Sequence, residues 1–298
     1  MRVLVTGASG FIGQHLLPLL RDAGHEVCGT YNIKHIDFPG VRIKKVNLFN
    51  RHEVEQVLNT TKPDALIHLA WYVTSGSYQS SMSNLDWCST TTDLMRSFAE
   101  CGGRRAVFAG SCFEYDLSMP NYQMENNVMP RCHTFYGACK KATGDIVLTM
   151  PVETTAVWAR IFYLYGPGER KHRLVPSVIT SLLKGQTADC SHGKQVRDFL
   201  HVEDVASALV SLLASDLTGA VNIGSGEGVT IKQVATTIAA KLGKSGSVNF
   251  GAITPPPNDP LLVIAYNNKL RSTGWSPKYN LNTGLENTID WWKRELVL

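Results

Sequence analysis

The sequence contains no Cys-x-x-Cys pair, no His-Glu-x-x-His and no Gly-x-Ser-x-Gly. The first two gaps argue against a dithiol redox motif and a zinc site, which need such close spacings, and the nine histidines are scattered. The third lowers the case for an α/β-hydrolase, whose nucleophile sits on that kind of elbow. No uninterrupted apolar run approaches the ~18 residues that span a bilayer. There is no dense stripe of Lys and Arg, and 29 basic against 25 acidic residues leave only +4, too even for a nucleic-acid-binding surface. Met1-Arg2 leads directly into the strand-like Val3-Leu4-Val5 with no apolar leader core, so a cytoplasmic location is expected. The seven cysteines (Cys28, Cys88, Cys101, Cys112, Cys132, Cys139, Cys190) are odd in number and are expected as reduced thiols, largely in the core. What is present is a globular balance, 44% apolar and 18% charged over 298 residues. That length suits one large domain or two intimate ones.

Up to about residue 165 the chain alternates short apolar runs with amphipathic stretches. Strands are expected near 3–5, 26–28, 41–46, 64–70, 105–109 and 155–161. Helices are expected near 11–23, 52–59, 90–101 and 136–150. Such alternation predicts βαβ units and a parallel sheet covered on both faces, with strands that read as continuous apolar runs. After Tyr165-Gly166-Pro167-Gly168 the rhythm changes. Helices are expected near 175–183, 204–213, 231–242 and 281–296, a strand near 221–223, and a rigid extended loop through Thr254-Pro255-Pro256-Pro257-Asn258-Asp259-Pro260. The expected fold is therefore α/β, a doubly wound Rossmann sheet flanked by helices, with a smaller mixed α/β C-terminal substrate lobe. Residues 1–165 would form the dinucleotide-binding domain, residues 166–298 the second lobe, and the stretch near 196–225 would fold back onto the first.

Thr6-Gly7-Ala8-Ser9-Gly10-Phe11-Ile12-Gly13 closes the first strand and opens the first helix. In that context Gly7 permits the turn, Gly10 lets backbone approach a pyrophosphate, and Gly13 lets the helix pack on the sheet. The helix N-terminus offers free N–H groups to phosphate. After the second strand the segment Gly29-Thr30-Tyr31-Asn32-Ile33-Lys34-His35 has no carboxylate to hold a ribose 2′-hydroxyl. This favours NADP, with Lys34 either pairing with the 2′-phosphate or solvated in the loop; NAD stays open.

Tyr136-Gly137-Ala138-Cys139-Lys140 is Tyr-x-x-x-Lys, which puts both side chains on one helix face. A neighbouring ammonium is expected to stabilise the phenolate and bring the phenol into a range where it exchanges protons with a carbonyl or alcohol oxygen. Ser111 follows the preceding strand candidate, at the end that faces the ligand crevice of an open α/β sheet.

In this order and separation Gly7, Gly10, Gly13, Ser111, Tyr136 and Lys140 resemble the extended short-chain dehydrogenase/reductase family, the nucleotide-sugar epimerases, dehydratases and reductases. Leu69-Ala70, Asn84, Tyr165-Gly166-Pro167-Gly168, the stretch from Arg197 to Ala206 and Asn222-Ile223-Gly224-Ser225-Gly226 extend the likeness over nearly the whole chain. The resemblance implies Tyr136 as general acid/base, Lys140 as its partner and holder of the nicotinamide ribose, and Ser111 as the group that orients the substrate oxygen. It implies cofactor contacts from Gly7, Ser9, Gly10, Phe11, Ile12, Gly13, Tyr31, Asn32, Lys34, Asn47, Leu48, Leu69, Ala70 and Lys140. The substrate, a nucleotide-diphosphate sugar, would meet Trp71, Tyr72, Cys112, Glu114, Tyr163, Arg173 and Arg197. Arg197 would clamp the diphosphate or form a structural ion pair. The aromatic loop 71–78 would cover the sugar.

Dehydratases of this kind carry Asp-Glu directly after the hydroxyl residue. Here Cys112 and Phe113 stand there, and a phenyl ring transfers no proton. Glu114 lies one place further and is read as structural or sugar-binding. The 3,5-epimerase/reductase pattern is missed by one residue at both Cys112 and His172. Tyr163 replaces an asparagine usual in the family, and Asn47 an acidic residue. The tail, from Gly193 to Phe199, Asn249 to Ile253, and Gly274-Trp275-Ser276-Pro277, resembles reductases of CDP-linked 4-keto-dideoxyhexoses of the abequose-synthase type. NADPH-dependent 4-keto reduction is the first expectation. A 4-epimerase with retained NAD is the second, and a non-catalytic dinucleotide-binding sensor the third. The resemblance also implies a homodimer through the helices at 90–101 and 136–150, with Leu94, Phe98, Ile146 and Leu148 either in that interface or in the core.

Overall fold

The computed structural model describes residues 1–74, 76–118, 122–125, 132–256 and 259–296. Ser75 of the aromatic loop and Pro257 and Asn258 of the proline-rich stretch lie outside these. The chain runs β1 (Arg2–Thr6), α1 (Phe11–Asp22), β2 (Glu26–Tyr31), β3 (Arg42–Lys45), α2 (Arg51–Thr61), β4 (Ala65–His68), α3 (Ser83–Glu100) and β5 (Arg105–Ser111). A single 3₁₀ turn (Cys112–Glu114) follows, then β6 (Tyr122–Gln123), α4 (Phe135–Thr149), β7 (Thr155–Ile161), β8 (Tyr163–Tyr165), α5 (Leu174–Leu183), β9 (Ala188–Cys190), β10 (Val196–Arg197) and β11 (Phe199–His201). The rest is α6 (Val202–Ala214), β12 (Gly219–Ile223), β13 (Val229–Thr230), α7 (Ile231–Lys241), β14 (Val248–Phe250), β15 (Leu262–Ala265), α8 (Asn268–Arg271) and α9 (Leu281–Leu296).

Seven parallel strands form the main sheet in the order β3-β2-β1-β4-β5-β7-β12. The pleat sends alternate residues to opposite faces, and here both faces are covered. Val3, Val5, Ile67, Val107 and Val157 meet α1 and α6. Leu4, Leu66, Phe108 and Trp158 meet the layer of α2, α3 and α4. That double burial explains why the strands show no alternation in sequence. Strand order reverses between β1 and β4, and their C-terminal ends open the crevice where ligands bind in such sheets.

The second part of the chain is not a simple appendage. β12 pairs in parallel with β7 at the edge of the main sheet, and α6 lies beside α1. The remaining strands make a four-stranded sheet, β13-β10-β15-β6, and two short pairs. α5, α7 and α9 close a separate apolar cluster around Ile179, Ile238 and Trp292. Two buried aspartates fasten these pieces. Asp198 accepts hydrogen bonds from the N–H groups of Ser225, Gly226 and Ala265 at 2.7, 2.9 and 3.1 Å. Asp204 accepts from Lys278 and Tyr279 at 2.7 and 3.1 Å.

α3 begins at Ser83 rather than near residue 90. Its first turns, Ser83-Asn84-Leu85-Asp86, are too polar to show helical apolar spacing, though Asp86 suits the positive end of the helix dipole. Two of the four expected dimer contacts prove to be core residues: Leu94 and Phe98 are 2% and 0% exposed and pack under the sheet with Phe108. Leu148 packs partly against the same cluster, whereas Ile146 is 50% exposed. All seven cysteines are free. Among the described residues no helix is long and apolar enough to cross a membrane, and no cluster could hold a metal ion.

Candidate active site

The turn between β1 and α1 is built by contact, not by side chains. Gly7 sits at φ +70° against Leu69 and Ala70, at the end of β4. A Cβ on Gly13 would lie 2.5 Å from the Gly7 carbonyl oxygen and 2.6 Å from that of Ala8, closer than any side chain tolerates. Gly10 is the N-cap of α1; no side chain caps the helix there and no acidic residue stands in its first turn. Ser9, Phe11 and Ile12 belong to this turn, and Gln14 Nε2 closes it by donating to the Ser9 carbonyl at 2.9 Å. The result is a concave backbone cradle at a positive helix end, suited to a pyrophosphate. Tyr31 ends β2 with its ring 5.1 Å from His35, and Asn32 and Lys34 are exposed just beyond. Asn47 shapes the next loop, its amide oxygen accepting from Phe49 N–H at 3.1 Å, while Leu48 packs partly into the core.

Ser111, Tyr136 and Lys140 come together under an aromatic roof. Ser111 ends β5, and its hydroxyl caps the following 3₁₀ turn by accepting from Phe113 N–H at 3.3 Å. The same hydroxyl lies near enough to the Tyr136 phenol to favour its ionised form. Tyr136 lies in the first turn of α4, capped by Thr134, whose hydroxyl accepts from Gly137 N–H at 3.0 Å. Its ring meets Trp71, Tyr78 and Phe113 edge-on, with centroids 6.4, 4.9 and 6.2 Å away. Lys140, one turn on, donates to the Ala109 carbonyl at 2.7 Å. Its ammonium nitrogen lies 3.6 Å from the centre of the Trp71 ring.

The electrostatics differ from the expectation that Lys140 acidifies the phenol. Burial pushes Tyr136 above the ordinary tyrosine range, opposed chiefly by the Ser111 hydroxyl. Burial also lowers Lys140 itself, to about 7, against the pull of Glu114 and Cys88. The cause is the roof: Trp71, Tyr78 and Phe113 exclude the water that a phenolate would need. In this arrangement Tyr136 carries its proton.

His68, at the end of β4, is wedged between the Thr6 and Thr91 hydroxyls at 2.7 and 3.0 Å. Burial and the charge of Lys140 lower it to about 3. The folded protein therefore refuses a proton that the unfolded chain accepts below about pH 6.5. Stability should be complete above that pH and drain as the pH falls toward 3, by up to ~1.4 kcal/mol per pH unit for this group. Burial lowers His201 as well, to about 4, in the same direction. Urea midpoints measured from pH 7 to pH 5 are expected to fall, and His68→Gln to flatten that slope; an unchanged slope would remove His68 from the account.

The substrate candidates divide. Tyr163 stands beside Phe113 and Phe199, with the Arg197 guanidinium carbon 5.3 Å from its ring centre. Arg197 is buried and ion-paired with Asp259 at 2.7 Å. Arg173 lies 5.8 Å from the Tyr78 ring centre, and the Tyr72 hydroxyl is bonded to Ser77 at 2.9 Å. Trp71 is buried over Lys140, so its ring faces α4. Cys112 is packed with Tyr115, Phe162 and Val263, and burial pushes its thiol up to about 12, which leaves no thiolate for chemistry.

Glu114 takes the structural of its two roles. It is 0% exposed and accepts from Ser111 N–H at 2.7 Å, the Trp158 indole at 2.8 Å and Arg160 Nε at 2.8 Å. No carboxylate oxygen is left for a sugar. Sequence reasoning missed Arg160, Asp259 and the Ala109 carbonyl as members of this region. None of them belongs to a short pattern; Asp259 sits 62 residues from Arg197.

Among known proteins, residues 3–224 match the profile of the NAD dependent epimerase/dehydratase family. The CDP-abequose synthase of Salmonella typhimurium is 27% identical over 300 residues, covering 96% of this chain and 97% of that protein. UDP-glucuronic acid decarboxylase 1 of Xenopus tropicalis is 29% identical over 99% of this chain and 73% of its own length. The Thermus thermophilus UDP-glucose 4-epimerase, solved in complex with NAD, superposes with a TM-score of 0.88 at 27% identity, over 98% of this chain and 99% of that one.

Proposed function

Since the chain belongs to the NAD dependent epimerase/dehydratase family, we propose that it reduces the 4-keto group of a nucleotide-linked deoxysugar with NADPH. The observation that carries this reading is geometric: Tyr136 and Lys140 pack against one Trp71 ring, and Lys140 is hydrogen-bonded to Ala109 on the strand that ends in Ser111. A reductase must deliver a proton to the alkoxide oxygen as it forms, and a phenol kept neutral is loaded for that step. Ser111 fixes the same oxygen. A dehydratase would need a further acid–base pair, and Cys112 and Phe113, which stand directly after Ser111, supply none.

The glycine cradle fits a dinucleotide: Gly7, Gly10 and Gly13 leave room for a pyrophosphate where side chains would fill it. The N-terminus of α1 would hold the phosphates and Lys140 the nicotinamide ribose. Asn32 and Lys34, both exposed, would receive a 2′-phosphate, with Asp37 of the same loop facing His35. When bound, the nicotinamide supplies the hydride. Arg197, steadied by Asp259, would meet the diphosphate of the sugar nucleotide with its planar fork. The likeness to a CDP-abequose synthase supports a CDP-linked deoxysugar.

A second reading is 4-epimerisation with retained NAD, favoured by the likeness to the Thermus epimerase. A panel of CDP-, dTDP-, GDP- and UDP-linked 4-keto sugars, followed by loss of NADPH absorbance, separates the two. Net consumption with one member of the panel is the expected outcome. Flat traces with NADPH and NADH, together with product isomers formed from the parent sugars, would replace reduction by epimerisation.

A further inference from the structure

We propose that Trp71 is a positioning residue that holds the Lys140 ammonium, charged and in place, beneath its indole face. The inference rests on the reading of Tyr136 and Lys140 given above. The ammonium nitrogen is 3.6 Å from the centre of the Trp71 ring, closer than to any other aromatic ring around it; Trp158 lies at 5.7 Å. A cation at that height on an indole, away from water, is strongly favoured by the ring's negative face. The indole cannot swing away. Its Nε1–H donates to Asn84 Oδ1 at 2.9 Å, and Asn84 Nδ2 donates to the Tyr78 and Ser81 carbonyls at 2.7 and 2.8 Å. Asn84, itself 0% exposed, thus ties the loop after β4 to the start of α3 and sets the indole plane. The Ala109 carbonyl takes one of the three ammonium donors.

Burial alone penalises the ammonium, and the charged or titratable groups around it are few. Glu114 approaches from the turn after β5 and Cys88 from α3, both favouring the charge. His68 on β4 is buried neutral, and Tyr136 and Cys139 share α4 with it. The Trp71 face, together with the Ala109 carbonyl at 2.7 Å, offsets desolvation at close range. The same residue touches the Tyr136 ring edge, so one side chain fixes the relative placement of both catalytic groups.

Two measurements test this. The first needs no turnover: tryptophan emission is titrated from pH 6 to pH 9. A step is expected in the native protein, absent in Lys140→Met and reduced to under about half in Trp71→Phe, with the residue coming from Trp158. The second is the pH profile of kcat/KM. Loss of the Lys140 charge sets its alkaline limb, so Trp71→Leu should move that limb about one pH unit toward acid. Trp71→Phe, which keeps a ring face, should hold it near the native position. Should Trp71→Leu fail to fold, tetrafluorotryptophan at position 71 keeps the shape, strips the negative face and should move the limb the same way. An emission step unchanged in Lys140→Met, or a limb unmoved while the rate falls at every pH, overturns the proposal. A native emission step without turnover on any sugar nucleotide would instead sink the functional reading and leave Trp71 its role.

Discussion

Tyr136→Phe is expected to lower turnover by about 10²- to 10⁴-fold, the usual contribution of a positioned general acid. The change removes one oxygen. The ring that Trp71, Tyr78 and Phe113 meet edge-on is retained, so packing should survive. The lost contact with Ser111 costs the fold about 1 kcal/mol. An interaction used only as the alkoxide forms should appear in kcat and kcat/KM alike, with cofactor binding intact. Single-turnover hydride transfer, followed by nicotinamide absorbance, reads the effect directly. A variant that keeps more than about a tenth of the native rate would show that the proton comes from another group.

Arg160→Met is expected to cost about 3–5 kcal/mol of stability, because it strands a buried carboxylate. The Glu114 and Arg160 side chains are 1% and 5% exposed. Arg160 is also bonded to the Tyr115 hydroxyl and the Glu125 carbonyl, each at 3.1 Å, and its guanidinium lies over the Tyr115 ring. Adding Glu114→Gln should recover part of the loss, since the amide oxygen still accepts from Ser111 N–H and the Trp158 indole without a charge to solvate. A double-mutant cycle in urea gives the coupling. A cost below about 1 kcal/mol for Arg160→Met would mean that water reaches the carboxylate.

The contrast between these two predictions marks how far the sequence could be read. The glycine turn, Ser111 and the Tyr136–Lys140 pair are short-range features. Their meaning depends on a strand before, a helix after, or one helical turn between, and all three were legible. The alternating strands and helices of the main sheet were legible for the same reason. Glu114 was not, because its role is fixed by Trp158 and Arg160 on a neighbouring strand, 44 and 46 residues away. The acidifying effect expected of Lys140 also depended on what else surrounds the phenol, and the aromatic roof comes from two separate segments, the loop after β4 and the turn after β5. The strands β6, β8 and β9 to β11 are two or three residues long, too short for any period to register. Their positions follow from pairings such as Asp198 with Ser225, made only after the chain has returned.

The late arrival of β12 has a consequence for how the chain is made. Six strands of the main sheet and the whole of α4 are synthesised before residue 165, yet the strip that covers the outer edge of β7 ends at residue 223. Until that point leaves the ribosome, the growing polypeptide displays an open, apolar backbone edge and a bare flank on α1. Such edges recruit other chains. A stalled or cleaved product ending near residue 165 would therefore expose that edge rather than fold as a working half.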